Sequence, residues 1–186
     1  MPKKLQKIRE LVKKECEEKD WRYHILPVVK YAKKLAKDYK VNIETVELAA
    51  LLHDIGRIRL KDDENHHISG VPEAEKILKK YNYSKEIIEE VKHCVESHRG
   101  SKSIKPRTII AKIITNADAM AHFDILPIFF YWNHEKSFEG IVIWLKEKLK
   151  RDINKKITFP KARKMIEKKH KAINLILNSL KEYIKK

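Results

Sequence analysis

The chain has 186 residues, 42% of them apolar and 37% charged, with 4 Gly, 6 Pro, 2 Cys and a formal net charge of +16. That length supports one domain with a sizeable core, and the scarcity of Gly argues against a β-sandwich with its many marked turns. Cys16 and Cys94 lie far apart outside any CxxC or Cys/His pattern and are read as reduced and structural, which excludes a disulfide scaffold or a thiolate metal cluster.

Helical periodicity runs almost throughout, and sustained two-residue alternation is absent, so an all-α bundle of about eight helices is expected. The first helix covers roughly 3 to 19, with Leu5, Ile8, Leu11 and Val12 on one side. The second covers about 22 to 39, its stripe being Val28, Ala32, Leu35, Ala36 and Tyr39, with Pro27 in its first turn or kinking it. The third, about 43 to 54, has Asn42 as a cap and Gly56 to close it. A fourth starts near Pro72 and runs to Tyr81, Ser84 caps a fifth to about 98, and Pro106 opens a sixth to about 121. The aromatic stretch ILPIFFYW follows, then a helix at 138 to 151 and a long last one from Pro160, striped by Ile166, Ile173, Leu177, Leu180 and Ile184. Phe129, Phe130, Tyr131 and Trp132 are read as packing between helices or as an oligomer contact in preference to base stacking.

No run approaches the roughly 18 apolar residues of a membrane span. The opening MPKKLQKIREL lacks the apolar core of a signal peptide, so a cytoplasmic protein is expected. The charge is uneven: residues 146–186 hold 15 Lys or Arg against 4 Asp or Glu, an excess of 11. Such a field can steer nucleic acid or a phosphorylated substrate, although a solvated face of a Lys-rich helix is the plainer reading.

Helical phase sorts the histidines. His24 shares the face of Val28, Ala32 and Leu35, His53 falls in register with Val46, Ala49 and Ala50, and His98 aligns with Ile87, Val91 and Cys94. His93 lies opposite, among Glu86, Glu89 and Glu90, and is expected in solvent. Asp118 comes at the edge of the buried side set by Ile110, Ile114, Ala117 and Ala121, and Asp54 follows His53 at the end of an apolar helix. Each such group alone is more often a satisfied core residue. Several together on four helices leave many buried polar atoms to satisfy at once, which a shared cation does. Imidazole plus carboxylate without thiolate suits Mn, Fe, Co, Ni or Zn, and Ca poorly.

His24, the doublet His53-Asp54 in AALLHDIG, the HHISG segment, the ESH ending at His98 and Asp118 in NADAM, all in this order, resemble the signature of the HD-domain metal-dependent phosphohydrolases. The similarity covers about residues 20 to 124, and residues 125–186 form a basic helical extension within one domain. The resemblance implies an all-helical HD-domain fold. It also implies a divalent ion, Mg included, held by His24, His53, Asp54 and Asp118, with further histidines binding a second ion or phosphate. His66 or His67 and His98 occupy such places, and His66 is preferred for its four-residue step to Gly70. Relatives acting as nucleotidases often carry a Glu three residues after the doublet, where Arg57 stands here, and the GYP signature of cyclic-dinucleotide phosphodiesterases is absent.

The expected activity is hydrolysis of a phosphate ester or anhydride of a nucleotide or related small molecule. Asp54, His66 and His98 are the catalytic candidates, and Arg57, Lys61 and His67 the substrate-binding ones. A different class remains open, a nucleic-acid-binding or regulatory protein that uses the basic C-terminal helices and keeps the metal site structural or sensory.

Overall fold

A computed structural model describes residues 2–100, 104–180 and 184. The described residues contain helices and no strand. In chain order they are α1 (Lys3–Glu15), α2 (Glu18–Asp20), a π-helical turn (Trp21–Ile25), α3 (Leu26–Tyr39), α4 (Ile43–Leu52), α5 (Ile55–Leu60) and α6 (His66–Lys80). After these come α7 (Lys85–Ser97), α8 (Ile109–Ala121), α9 (Leu126–Trp132), α10 (Phe138–Arg151), a second π-helical turn (Asp152–Lys156) and α11 (Pro160–Ser179). None is long and apolar enough to cross a membrane.

α3 is the central strut, packed on both α4 and α8, while α6 packs on α5 and α7. The buried face of α3 includes Ala32 and Ala36, and that of α8 includes Ala117 and Ala121. Small side chains on facing ridges let helix axes approach closely. Around them Leu35, Leu48, Leu51, Leu52, Ile113 and Met120 are fully buried, each contributing roughly 1.5–3 kcal/mol of apolar burial. α11 adds Ala162, Ile166, Ile173 and Leu177 to the same core.

Several boundaries differ from the sequence expectation. The first helix stops at Glu15, because Cys16 and Glu17 are extended (ψ 144° and 143°). Residues 21–25 continue backward from α3 with a wider turn, the Leu26 N–H reaching Trp21 O. Pro27 has no N–H for the ordinary bond four residues back, so a local π-turn is a cheap way for the chain to continue past it. α4 does use Asn42, whose side chain accepts from Thr45 N at 2.9 Å, but Gly56 does not close it. Gly56 lies inside α5, where a Cβ would come within 2.5 Å of His66 O and 2.7 Å of Gly70 N. Its role is the close crossing of α5 with α6.

α6 begins at His66, not near Pro72, which sits inside it. Its first turn is secured by Asp62, which accepts from Asn65 N and from Ser69 Oγ, both at 2.7 Å. Pro106 precedes α8, which is capped instead by Thr108 accepting from Ala111 N at 3.0 Å. His93 is buried, contrary to expectation: its Nε2 accepts the Arg107 N–H at 3.0 Å. The segment before α8 folds back over that face of α7, with Thr108 Oγ donating to Glu90 at 2.5 Å, and helical phase carries no information about such a cover. The last helix ends at Ser179; Lys181, Lys185 and Lys186, part of the basic tail, lie outside the described residues.

Candidate metal centre

The doublet sits where α4 stops and α5 begins. His53 keeps helical angles as the α4 cap, whereas Asp54 takes φ −103°, ψ 18° and its carbonyl accepts from Ile58 N at 3.0 Å to open α5. This break aims both side chains into one space. The π-helical turn delivers His24 and α8 delivers Asp118 from the opposite side. The first turn of α6 and the end of α7 deliver His66 and His98. All six are buried, between 0% and 7% exposed.

His24 Nε2 lies 3.1 Å from His53 Nε2, 3.2 Å from Asp54 Oδ2 and 3.6 Å from Asp118 Oδ1. On the other side of Asp54, Oδ1 is 3.2 Å from His66 Nε2 and 3.4 Å from His98 Nε2, which are 3.1 Å from each other. Two groups therefore form, His24 with His53 and Asp118, and Asp54 with His66 and His98, each with its donor atoms within 4.8 Å of one another.

The tautomers follow from the backbone. Nδ1 of His53, His66 and His98 lies 2.8, 3.1 and 2.6 Å from the carbonyls of Ala50, Asp63 and Val95, three residues back. A carbonyl only accepts, so each neutral ring carries its proton on Nδ1 and turns a bare Nε2 lone pair inward. The Nε2 atoms of His66 and His98 then face each other at hydrogen-bond distance with no proton between them. A cation between them satisfies both lone pairs at once. With borderline imidazole nitrogens and hard carboxylates beside them, the donor set fits a divalent transition metal.

Electrostatics point the same way. Burial pushes the His53 imidazole down to about 3 and also lowers His98, so both rings stay neutral and able to ligate. Burial would raise the carboxyl of Asp54, but the Arg57 guanidinium and the surrounding imidazoles outweigh it and hold it well below the usual range. Burial acts on Asp118 in the same sense and is outweighed by Lys156 and His122.

His24, Asp54, His66, His98 and Asp118 line a cavity of about 610 Å³. Arg57 lines it, pairing with Asp54 Oδ2 at 3.2 Å and Asp63 Oδ1 at 3.1 Å. Lys61 lines it too, in the left-handed region at φ 54° where α5 ends. His67 does not line the cavity. Its ring stands 6.1 Å from that of His66 at 80°, and its buried Nδ1 has no hydrogen-bond partner. Of the adjacent pair, His66 is the one turned to the cluster.

The far wall was not foreseen from the sequence. His122 Nδ1 donates to Asp152 Oδ2 at 2.8 Å, with its Nε2 3.6 Å from Asp118 Oδ1. Lys156 donates to Asp118 Oδ2, and the Lys148 ammonium lies 3.7 Å from Asp152. Phe129, Trp132 and Trp144 complete the wall, with Phe129 5.7 Å from each indole ring. Phe129 and Trp132 are thus packing and cavity lining together, whereas Tyr131 is exposed. One signal was available: His122 follows Asp118 by four residues, on the same helical face. Lys148, Asp152 and Lys156 repeat at the same step, but in so Lys-rich a segment that spacing marks nothing.

A profile of the HD domain matches residues 21–122. Ribonuclease Y of Symbiobacterium thermophilum is 31% identical over 99 residues, covering 53% of this chain and 17% of that protein. Ribonuclease Y of Syntrophomonas wolfei is 33% identical over 101 residues, with the same shares. The chain therefore spans 17% of the length of these curated relatives. Among solved structures, that of Bacillus subtilis YpgQ in complex with ADP superimposes with a TM-score of 0.77 at 22% identity, over 98% of this chain and 95% of that one. A protein described as a predicted HD superfamily hydrolase, from an uncultured Thermotogales bacterium, gives 0.66 at 21%, over 96% and 92%. These likenesses are in fold, and they extend through the C-terminal helices.

Proposed function

The chain belongs to the HD domain family, and from that premise we propose that it hydrolyses a phosphate ester or anhydride of a nucleotide or related small phosphorylated molecule, using a bound divalent metal. The observation that carries this reading is the facing pair of proton-free Nε2 atoms on His66 and His98 beside Asp54, with the second group of His24, His53 and Asp118 adjoining it. In this reading His24, His53, Asp54 and Asp118 hold one ion, and Asp54, His66 and His98 a second.

An ion bound there supplies positive charge that acidifies water and offsets charge developing at phosphorus. The chain's own residues do the rest. Asp54, kept ionised by Arg57, is available to accept a proton from the attacking water. Arg57 and Lys61 on the cavity wall neutralise phosphate oxygens. His66 and His98, whose Nδ1 protons are tied to backbone carbonyls, are better placed as ligands than as acids that protonate the leaving oxygen. That the YpgQ structure holds ADP supports a nucleotide as the substrate.

The test is a metal analysis of the purified protein and of the Asp54→Ala variant, with a hydrolysis screen of nucleoside mono- and triphosphates and cyclic nucleotides under Mn, Co, Ni and Mg. The wild type should retain a divalent ion and turn over at least one class. Asp54→Ala, with an unchanged circular dichroism spectrum, should lose more than the ~10–100-fold that removal of a mere supporting group costs. A folded Asp54→Ala with full activity overturns the proposal.

The name of the Ribonuclease Y relatives favours a second reading, in which the phosphate belongs to RNA. Lys164, Lys168 and Lys171 on α11 are exposed and available to a backbone. RNA retention that falls steeply with salt and drops on their joint replacement by Gln supports it; retention insensitive to both removes it.

A further inference from the structure

The cavity has two ammonium groups on its C-terminal wall, Lys156 buried and Lys148 partly buried, and they differ in a further respect. Lys156 is taken up by a carboxylate of the metal-ligating cluster, since it donates to Asp118 Oδ2. Lys148, its side chain 14% exposed, makes no hydrogen bond among the described residues. Its neighbours are Asp152 at 3.7 Å and the faces of Phe129 and Trp144, whose ring centroids lie 5.5 and 5.9 Å from the ammonium nitrogen. Rings attract a cation without accepting its protons in the way an oxygen does. A partly dehydrated ammonium with donors not taken up by protein oxygens gains from an anion that reaches it. It lies on the lining of the cavity, so a ligand there can reach it.

A second unused donor lies on the same wall. The indole Nε1 of Trp132 is buried without a hydrogen-bond partner among the described residues, and the Trp132 ring packs against Phe129, the ring over which Lys148 sits. Arg151, three residues beyond Lys148 on α10, also lines the cavity. The chain Asp118, His122, Asp152, Lys148 measures how far these donors stand from the metal-ligating cluster: one imidazole and one carboxylate away. That is a neighbouring position and not the same one.

We propose that Lys148, with Trp132 beside it, receives a second anionic group of the substrate, next to the phosphate held at the metal-ligating cluster, and that this wall selects molecules carrying two or more linked phosphates over those carrying one. The inference rests on the proposed phosphohydrolase function for its first phosphate. Lys148, Trp132 and Arg151 all lie outside the 21–122 match.

The experiment is isothermal titration of the manganese-dialysed full chain with imidodiphosphate, whose P–N–P bridge resists hydrolysis, and with orthophosphate. Wild type should bind imidodiphosphate at least ten times more tightly than orthophosphate. Lys148→Met should weaken imidodiphosphate at least tenfold and leave orthophosphate within twofold, Lys148→Arg should recover most of the loss, and Trp132→Phe should weaken imidodiphosphate by a smaller factor. Equal binding of the two anions by wild type, or equal weakening of both by Lys148→Met, overturns the proposal; the second result would assign Lys148 to holding Asp152. The two proposals fail separately. A protein without hydrolytic activity that still shows the Lys148-dependent preference loses the enzyme reading and keeps this subsite, and an active enzyme without the preference does the reverse.

Discussion

Residues 21–122 and residues 126–156 meet the same cavity with different chemistry. The first segment brings a cluster of imidazoles and carboxylates, with Arg57 and Lys61 at its side, and the second brings two ammonium groups and aromatic rings around one carboxylate, Asp152. The contrast shows in the companions each group keeps. Every imidazole assigned as a ligand with a fixed tautomer has its far nitrogen tied to a backbone carbonyl three residues back, so the donor set is held before any ion arrives. Lys148 has no such tie. A preformed cation site and an adaptable anion-facing wall are what a metal-dependent reaction on a phosphorylated molecule requires.

The sharpest way to break this contrast is at the α5–α6 crossing. Gly56→Ala would put a Cβ 2.5 Å from His66 O, and a backbone neighbour cannot rotate away. The crossing must open, at a cost of about 3 kcal/mol or more, and His66 must leave Asp54. Thermal denaturation should show the lower stability, and metal analysis a loss confined to the group of Asp54, His66 and His98. A Gly56→Ala protein with wild-type stability and full metal content would mean that the crossing has slack and does not set the site.

Leu177→Ala tests a place outside both regions. Leu177 on α11 is 2% exposed, far along the chain from the ligands. Its truncation should cost about 2–3 kcal/mol and leave metal stoichiometry unchanged in the folded protein. Metal loss from a folded Leu177→Ala variant would show that α11 supports the cluster directly.

Acid loads the first region by a different route. In the metal-free protein burial depresses His53 to about 3 and His122 to about 4, from an ordinary value of 6.5. Between pH 6.5 and those values the unfolded chain binds protons that the native chain refuses, so stability is complete above pH 6.5 and falls as the pH drops. Each group removes on the order of 2 kcal/mol by pH 5. Melting in chelator at pH 7.5, 6 and 5 should give steadily lower midpoints, and manganese should oppose the decline at pH 6. A midpoint flat over that range would mean the imidazoles are already charged in the native state.

How much of this was written in the sequence depends on whether a feature is local. The phases of α3, α4, α7 and α8 follow from apolar spacing, which is why His24, His53, His98 and Asp118 converge as their register implies. His93 shows the limit. Its own helix turns it outward, and it is buried by a segment that phase knows nothing about. Gly56 was readable as a helix terminator by its type, yet its reason is a neighbour ten residues on. Lys148 was unreadable, because one lysine among so many acquires meaning only from the rings and the cavity around it.

The smallest expected effect decides whether the charge excess of the C-terminal region has a structural share. Lys161 on α11 pairs with Asp38 on α3 at 2.9 Å, with side chains 58% and 30% exposed. In solvent such a pair gives up hydration and side-chain freedom for an attraction that salt screens, leaving under about 1 kcal/mol. Lys161→Met should therefore shift the midpoint by no more than a few degrees at low salt, and by less as salt rises. Lys156 differs because its side chain and that of Asp118 are each 7% exposed, and breaking that pair should resist salt and cost several kcal/mol. Comparable losses at both positions would mean that burial does not sort the lysines, and that the basic face of α11 helps hold the helices together.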